Sequence, residues 1–167
     1  LGYALQADLA EASKLNAVPG MRVAVGLLDI RGLVQQSEQQ EAKITGKISL
    51  PGFSGGFDKT QFQGLAMDVD LAATLVSNKV ATLDRLNGTL THGGQPAGGF
   101  EISGAHNLTS GGSSATMKLQ AVNQNLLRPS VEPLLTGMQL AKANINASLV
   151  AEGQPGVGSK VSGTLNV

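Results

Sequence analysis

Hydrophobic and polar positions alternate along most of this chain, most cleanly in Leu65–Leu75 (Leu-Ala-Met-Asp-Val-Asp-Leu-Ala-Ala-Thr-Leu). Its odd positions, Leu65, Met67, Val69, Leu71, Ala73 and Leu75, are all apolar, while the even ones include Asp68, Asp70 and Thr74. A strand sends successive side chains to opposite faces, so the pattern predicts a long strand that is greasy on one side and wet on the other. A helix would gather Asp68, Leu71 and Leu75 on one face, which serves no burial.

The same period runs on either side. Tyr3, Leu5, Ala7 and Leu9 predict a first strand, and Ala7–Ala17, rich in Ala, Leu and Glu, predicts a short helix broken by Val18-Pro19-Gly20. Met21–Gln36 reads as a strand whose phase slips at Gly26, the mark of a bulge. Gln35–Gln40 reads as a hairpin end, Ile44, Gly46, Ile48 and Leu50 as a strand, and Pro51–Gly56 as a loop. Ser77-Asn78-Lys79 offers a tight turn into Val80–Thr91, which changes phase near Asp84-Arg85. Turns at Gly93–Ala97 and Ser110–Ser114 frame Phe100, Ile102 and Gly104, and then Met117, Leu119 and Ala121. Asn123–Met138 abandons period two: Leu126-Leu127, Val131 and Leu134-Leu135 are spaced for one or two helical turns, interrupted by Pro129 and Pro133. Ala141, Ala143, Ile145, Ala147 and Leu149 resume the alternation, and Gly153–Gly156 turns the chain into Val161, Gly163, Leu165 and Val167.

Nine or ten strands at hairpin spacing with one or two short helical insertions predict a mainly β fold, a long antiparallel meander sheet curved into a groove or rolled. An apolar-x-Gly-x-apolar unit recurs at Ile30–Val34, Ile44–Ile48, Leu86–Leu90 and Val161–Leu165, with Gly on the same face as its aliphatic flanks, where the missing side chain leaves room for close approach. The copies are irregularly spaced, so no strict solenoid is expected.

Composition narrows the function. The 167 residues suffice for one domain, and 12 basic against 12 acidic residues leave a net charge of +0, which removes the electrostatic footprint of a nucleic-acid binder. Charged residues reach only 14% and hydrophobic ones 41%, while aromatics are 3%, with no Trp and one Tyr. The interior must therefore close on Leu, Val, Ile, Ala and Met, without the aromatic anchors that usually fill β-cores. The absence of Cys excludes disulfides and thiolate metal sites and suits an exported chain. No apolar run approaches the ~18 residues of a spanning helix. The chain starts without Met and stops within an alternating pattern, so it is expected to be a segment of a longer protein.

Chemical candidates are few. His92 and His106 sit near turns without acidic partners at ligand spacing and are expected to be exposed; Asp68 and Asp70 share a strand face and read as solubilising charge. Thr109–Ser114 is small and polar but lacks the Lys and helix of a phosphate-binding loop. The sequons Asn107-Leu108-Thr109 and Asn146-Ala147-Ser148 are common by chance. No nucleophile or acid pair points to an enzyme, and no cofactor or metal is expected.

The amphipathic strands, the Leu-x-Gly-x-Leu units, the hairpin Asp70–Leu90 and the Leu/Pro segment Leu119–Leu135 resemble the AsmA-like proteins and the related TamB-like proteins, chiefly over Asp70–Val167. The resemblance implies a periplasmic envelope protein of a Gram-negative bacterium, anchored to the inner membrane by a helix outside this segment. It also implies a part in moving phospholipid toward the outer membrane and in outer-membrane biogenesis. Its partners would be phospholipid acyl chains, the remainder of the same chain or other envelope proteins. Physically, six or more large aliphatics left wet, at roughly 1.5–3 kcal/mol each, is a heavy cost for a marginally stable domain. A second sheet, a partner module or lipid must cover them. The expected groove residues are Leu65, Met67, Val69, Leu71, Leu75, Ile145, Leu149, Val161 and Leu165. The alternative is a secreted adhesin or autotransporter-type passenger with a closed protein core and a regular rung repeat.

Overall fold

The computed structural model describes residues 1–15, 19–37, 41–58 and 60–167. Nine strands form one antiparallel sheet: β1 (Gly2–Asp8), β2 (Met21–Gln36), β3 (Glu41–Phe57), β4 (Thr60–Val76), β5 (Val80–His92), β6 (Gln95–Asn107), β7 (Ser113–Asn123), β8 (Asn144–Gln154) and β9 (Gly158–Asn166). Their order in space is their order in sequence, and β1 and β9 are both edges, so the sheet does not close into a barrel. Two helices interrupt the meander, α1 (Leu9–Leu15) between β1 and β2 and α2 (Gln124–Val131) between β7 and β8, the latter followed by a 3-10 turn at Glu132–Leu134.

The expected mainly β meander with two short helical insertions is what forms. The three-residue β4–β5 turn Ser77–Lys79 places Ser77 at φ 50° and Asn78 at φ 53°, a left-handed pair closed by the Lys79 amide donating to the Val76 carbonyl at 2.9 Å. Asp8 caps α1, its Oδ1 accepting from the amides of Ala10 at 2.9 Å and Glu11 at 3.2 Å, so Leu9 belongs to the helix and not to the first strand. Asn123 does the same for α2 through the Asn125 amide at 2.9 Å. The end of the predicted helix at residues 16–17, the breaker residue 18 and the hairpin end at residues 38–40 lie outside the described residues.

Pro51–Gly56 is not a loop: β3 runs through it, and its ladder to β4 skips register between Leu50, Phe53 and Gly55. A bulged stretch tolerates Pro51 because no ladder hydrogen bond is asked of it there. The phase slips seen in the sequence elsewhere are also bulges. The β2–β3 ladder shifts between Val23 and Val25 and between Gly26 and Asp29, the β4–β5 ladder skips Asp84, and the β5–β6 ladder skips Ala97. At Asp84 the bulge is held from the neighbouring strand, where Thr74 Oγ1 donates to Asp84 Oδ2 at 2.6 Å. In β7 a bulge at Gln120-Ala121, with Ala121 at φ 50°, brings Val122 to the inner face in place of the expected Ala121.

Antiparallel partners share a face, so the registers can be followed across all nine strands. Leu5, Ile30, Ile48, Val69, Gly88, Phe100, Leu119, Ala147 and Leu165 form one unbroken row from β1 to β9. Beside it runs Tyr3, Gly32, Gly46, Leu71, Leu86, Ile102, Met117, Leu149 and Gly163. On the opposite face the matching row is Ala4, Arg31, Lys47, Asp70, Asn87, Glu101, Lys118, Ser148 and Thr164. The sheet thus has one aliphatic and one polar face.

The recurring glycines sit within these aliphatic rows and are roofed by neighbours. Tyr3 lies over Gly32 and Gly46, Phe100 over Gly88 and Leu149 over Gly163, each so close that a Cβ on the glycine would collide with the covering side chain. Glycine here is the receiving half of a cross-strand pair. We expect Gly88→Val to evict the Phe100 ring and cost about 1–3 kcal/mol, read as a lowered urea midpoint. Gly52→Ala, where a Cβ meets nothing within 4 Å, should change stability by less than about 0.5 kcal/mol.

Candidate functional site

All nine expected groove residues lie on the aliphatic face, but they differ in depth. Val69, at the centre of the sheet, is only 5% exposed, and Leu65, Met67, Leu71, Leu75 and Ile145 are half-buried. Toward the β9 edge Leu149, Val161 and Leu165 are exposed, at 44%, 68% and 66%. Sequence reasoning missed the rest of the face: Ile30, Ile48, Leu86, Ile102, Met117 and Leu119 share it through the registers. Counting outward from the three-residue turn Ser77-Asn78-Lys79 recovers the β4–β5 pairing as far as Ala73–Leu83 and fails beyond, where Asp84 adds a residue to one strand only.

Burial is shallow throughout. Among the described residues the buried apolar side chains are Leu50, Val69, Ala97 and Val122. The chain exposes 10987 Å² of surface, about 3,300 Å² more than the roughly 7,700 Å² expected of a compact 17.0 kDa domain. A single layer with both faces open accounts for the excess.

The helices cover one end of the aliphatic face. Both connectors, β1 to β2 and β7 to β8, leave the sheet at the same end, and both fold onto that face. Leu9 of α1 and Phe53 of β3 close over the buried Gly26. Helix α2 packs against β4, β5, β6 and β7 and is tied down by polar contacts. The side-chain amides of Asn123 and Asn125 donate to the Pro96 carbonyl at 2.9 and 3.0 Å. Arg128 Nε donates to the Leu140 carbonyl at 3.1 Å, and Gln124 Oε1 accepts from the Ala143 amide at 3.3 Å. At the opposite end the β4–β5, β6–β7 and β8–β9 connections are short turns that leave the face open.

His92 departs from its expected exposure. It is half-buried on the aliphatic face opposite Leu65, and its Nδ1 lies 2.6 Å from the Asn125 carbonyl. A carbonyl only accepts, so Nδ1 is the donor, and Nε2 is buried without a partner among the described residues. The ring stands edge-on to Phe62, with centroids 6.2 Å apart at 82°. His92 is therefore the pin between β5 and α2. His106 is exposed as expected, with Nδ1 2.7 Å from Ser113 Oγ.

The polar face carries ion pairs. Asp70 meets Lys47 at 3.2 Å, Glu101 meets Lys118 at 3.8 Å and Asp29 meets Arg31 at 2.8 Å; Asp29 raises the Arg31 pKa further above its usual value, first through that hydrogen bond and then through its charge. Asp68 accepts from Ser49 Oγ at 2.8 Å. A recess of 1060 Å³ over β1–β5 is lined mainly by this face, among others by Gln6, Asp29, Arg31, Lys47 and Arg85. Its walls are not purely polar: Leu27 and Leu33 of β2 line it beside the charged residues, and Tyr3 and Leu71 of the second aliphatic row border it. In the loop at Thr109–Ser114 the amides of Thr109 and Ser110 are consumed by Asn107 Oδ1, both at 2.9 Å. No cluster of three or more His, Asp or Glu side chains suited to a metal occurs among the described residues.

Comparison of the chain with protein-family models, with curated proteins and with solved structures finds no match.

Replacing His92 by Ala removes the pin. Global stability should fall by about 1–2 kcal/mol, and the amides of α2 should exchange with solvent faster while those in the middle of β5 keep their protection.

Proposed function

We propose that this chain is a non-enzymatic segment of an AsmA-like envelope protein, and that its aliphatic face shields phospholipid acyl chains on their way between the inner and outer membranes. The observation that carries the reading is the pair of unbroken apolar rows across nine strands which, among the described residues, only α1 and α2 cover, and only at one end. Such a surface costs free energy in water roughly in proportion to its area. Flexible hydrocarbon covers it without demanding a fixed shape.

The dimensions suit that occupant. From Met67 to Leu75 the face runs about 26 Å along β4, at about 3.3 Å per residue, enough for an extended acyl chain lying along the strands. The scarcity of aromatic rings keeps the surface low and even, and the glycines under Tyr3, Phe100 and Leu149 flatten it further. Apart from the Tyr3 hydroxyl at the β1 edge, the two central rows are apolar, so the face offers hydrocarbon contact and little for headgroup recognition. Specificity for one lipid is not expected from it. On this reading the segment lies in the periplasm of a Gram-negative bacterium and is tethered by a helix outside it; no helix among the described residues is long and apolar enough to cross a membrane.

The test is photo-crosslinking of the gently purified protein, followed by native mass spectrometry. A photoreactive residue at position 71, on the aliphatic face, should yield phospholipid adducts, and one at position 70, on the polar face, should not. Equal labelling at both positions, or no lipid adduct at 71, would overturn the reading.

A further inference from the structure

We infer that the recess on the polar face is a binding site for a phosphate ester, an anion presented beside a small apolar group. The registers put Arg31 of β2 directly opposite Lys47 of β3. Opposed like charges on an antiparallel pair are destabilising, and a face that needed only solubility would be served as well by alternating signs. Both cations line the recess and both are exposed, and Arg85 of β5 joins them from the next row of the face, opposite Ala72. Arg85 makes no ion pair among the described residues. Along the recess wall Arg31, Lys47 and Arg85 outnumber the acids, Asp29 and Asp70.

The acids of this face are already engaged. Asp29 holds Arg31 from the same strand and Asp70 holds Lys47 from β4, while Asp68 accepts from Ser49 and Asp84 from Thr74. Exposed ion pairs of this kind are weak, so an incoming phosphate can share both cations. Cross-strand partners have their Cβ atoms about 5 Å apart, close enough for a guanidinium fork and an ammonium to hold different oxygens of one phosphate. The neighbours of the pair are small: Ala4 stands opposite Arg31 on β1, and Thr45 follows Lys47 on the same face of β3. Leu33 shares the polar face with Arg31, and it and Leu27, 52% and 43% exposed, line the same recess. Convergent charges beside an apolar wall are the composition of a ligand site, and the wall favours an ester over a bare phosphate ion. The inference does not rest on the acyl-chain reading, because Arg31, Lys47 and Arg85 share the face opposite the aliphatic rows, and they sit on the interior strands β2, β3 and β5.

The test titrates phenyl phosphate into the intact chain at fixed ionic strength. The side-chain Nε–H signals of Arg31 and Arg85 should shift saturably in nitrogen–proton NMR spectra, and that of Arg128, on α2 and outside the recess, should not. Inorganic phosphate should move the same signals with about tenfold weaker affinity. Arg31→Gln with Lys47→Gln should weaken phenyl phosphate binding about tenfold. Lys142→Gln with Lys160→Gln removes the same charge outside the recess and should leave the affinity within about twofold, with circular dichroism reporting an intact sheet in each variant. Leu33→Ser keeps both cations and should bring phenyl phosphate down to the affinity of inorganic phosphate. Sedimentation with phosphatidylcholine vesicles carrying phosphatidic acid separates the two sources of such an ester. Retention that is lost in the Arg31/Lys47 variant assigns it to a lipid headgroup, and binding of phenyl phosphate alone assigns it to a soluble ester. The inference is overturned by the absence of a saturable shift at Arg31 and Arg85, by an equal shift at Arg128, by equal affinity for the two phosphates, or by equal losses in the two double variants.

Discussion

Cross-strand pairing in an antiparallel meander hands each side chain on to the same face of the next strand, and everything else in this molecule depends on that parity being kept. With nine strands and eight ladders, a single uncorrected slip would exchange the aliphatic and polar faces from that point onward. The sequence does slip, near Gly26, Asp84, Ala97 and Ala121, and at each place a bulge shifts the register while keeping the aliphatic and polar faces apart. Bulges here act as phase correctors. The Thr74–Asp84 hydrogen bond shows one of them being fixed by the strand next door.

Parity concentrates apolar side chains on one face but does not bury them. The centre of the sheet is partly sheltered by its own neighbours, as Val69 shows, and one end by α1 and α2. The glycines contribute in the opposite sense from their usual role as weak points: by receiving Tyr3, Phe100 and Leu149 they let large side chains lie flat against the sheet. What results is a smooth apolar floor with a helical rim at one end and a charged underside whose ion pairs are too exposed to contribute much stability.

Much of this was legible in the sequence because the signals were local. Period-two alternation located the strands, the Ser77-Asn78 pair fixed a turn, and the departure from alternation at Leu126-Leu127 announced α2. Pro51–Gly56 was misread because turn-forming residues and a bulged strand share a composition, and only the ladder to β4 separates them. The nine groove candidates share one face, since parity within a strand is visible in one dimension. The rest of the face was not, because its membership depends on registers displaced by bulges whose positions are set by tertiary contacts. His92 was misjudged for a similar reason: its setting is created by α2, which begins more than thirty residues downstream.

The strictly sequential strand order has a further consequence. Each strand touches only its two neighbours, so the sheet is quasi-one-dimensional, and its two extents have separate origins. The breadth of the apolar floor is set by how long each strand is, and its reach by how many strands there are. Evolution can therefore lengthen such a surface by duplicating a hairpin, without redesigning its cross-section, and each added hairpin needs to satisfy only the ladder beside it.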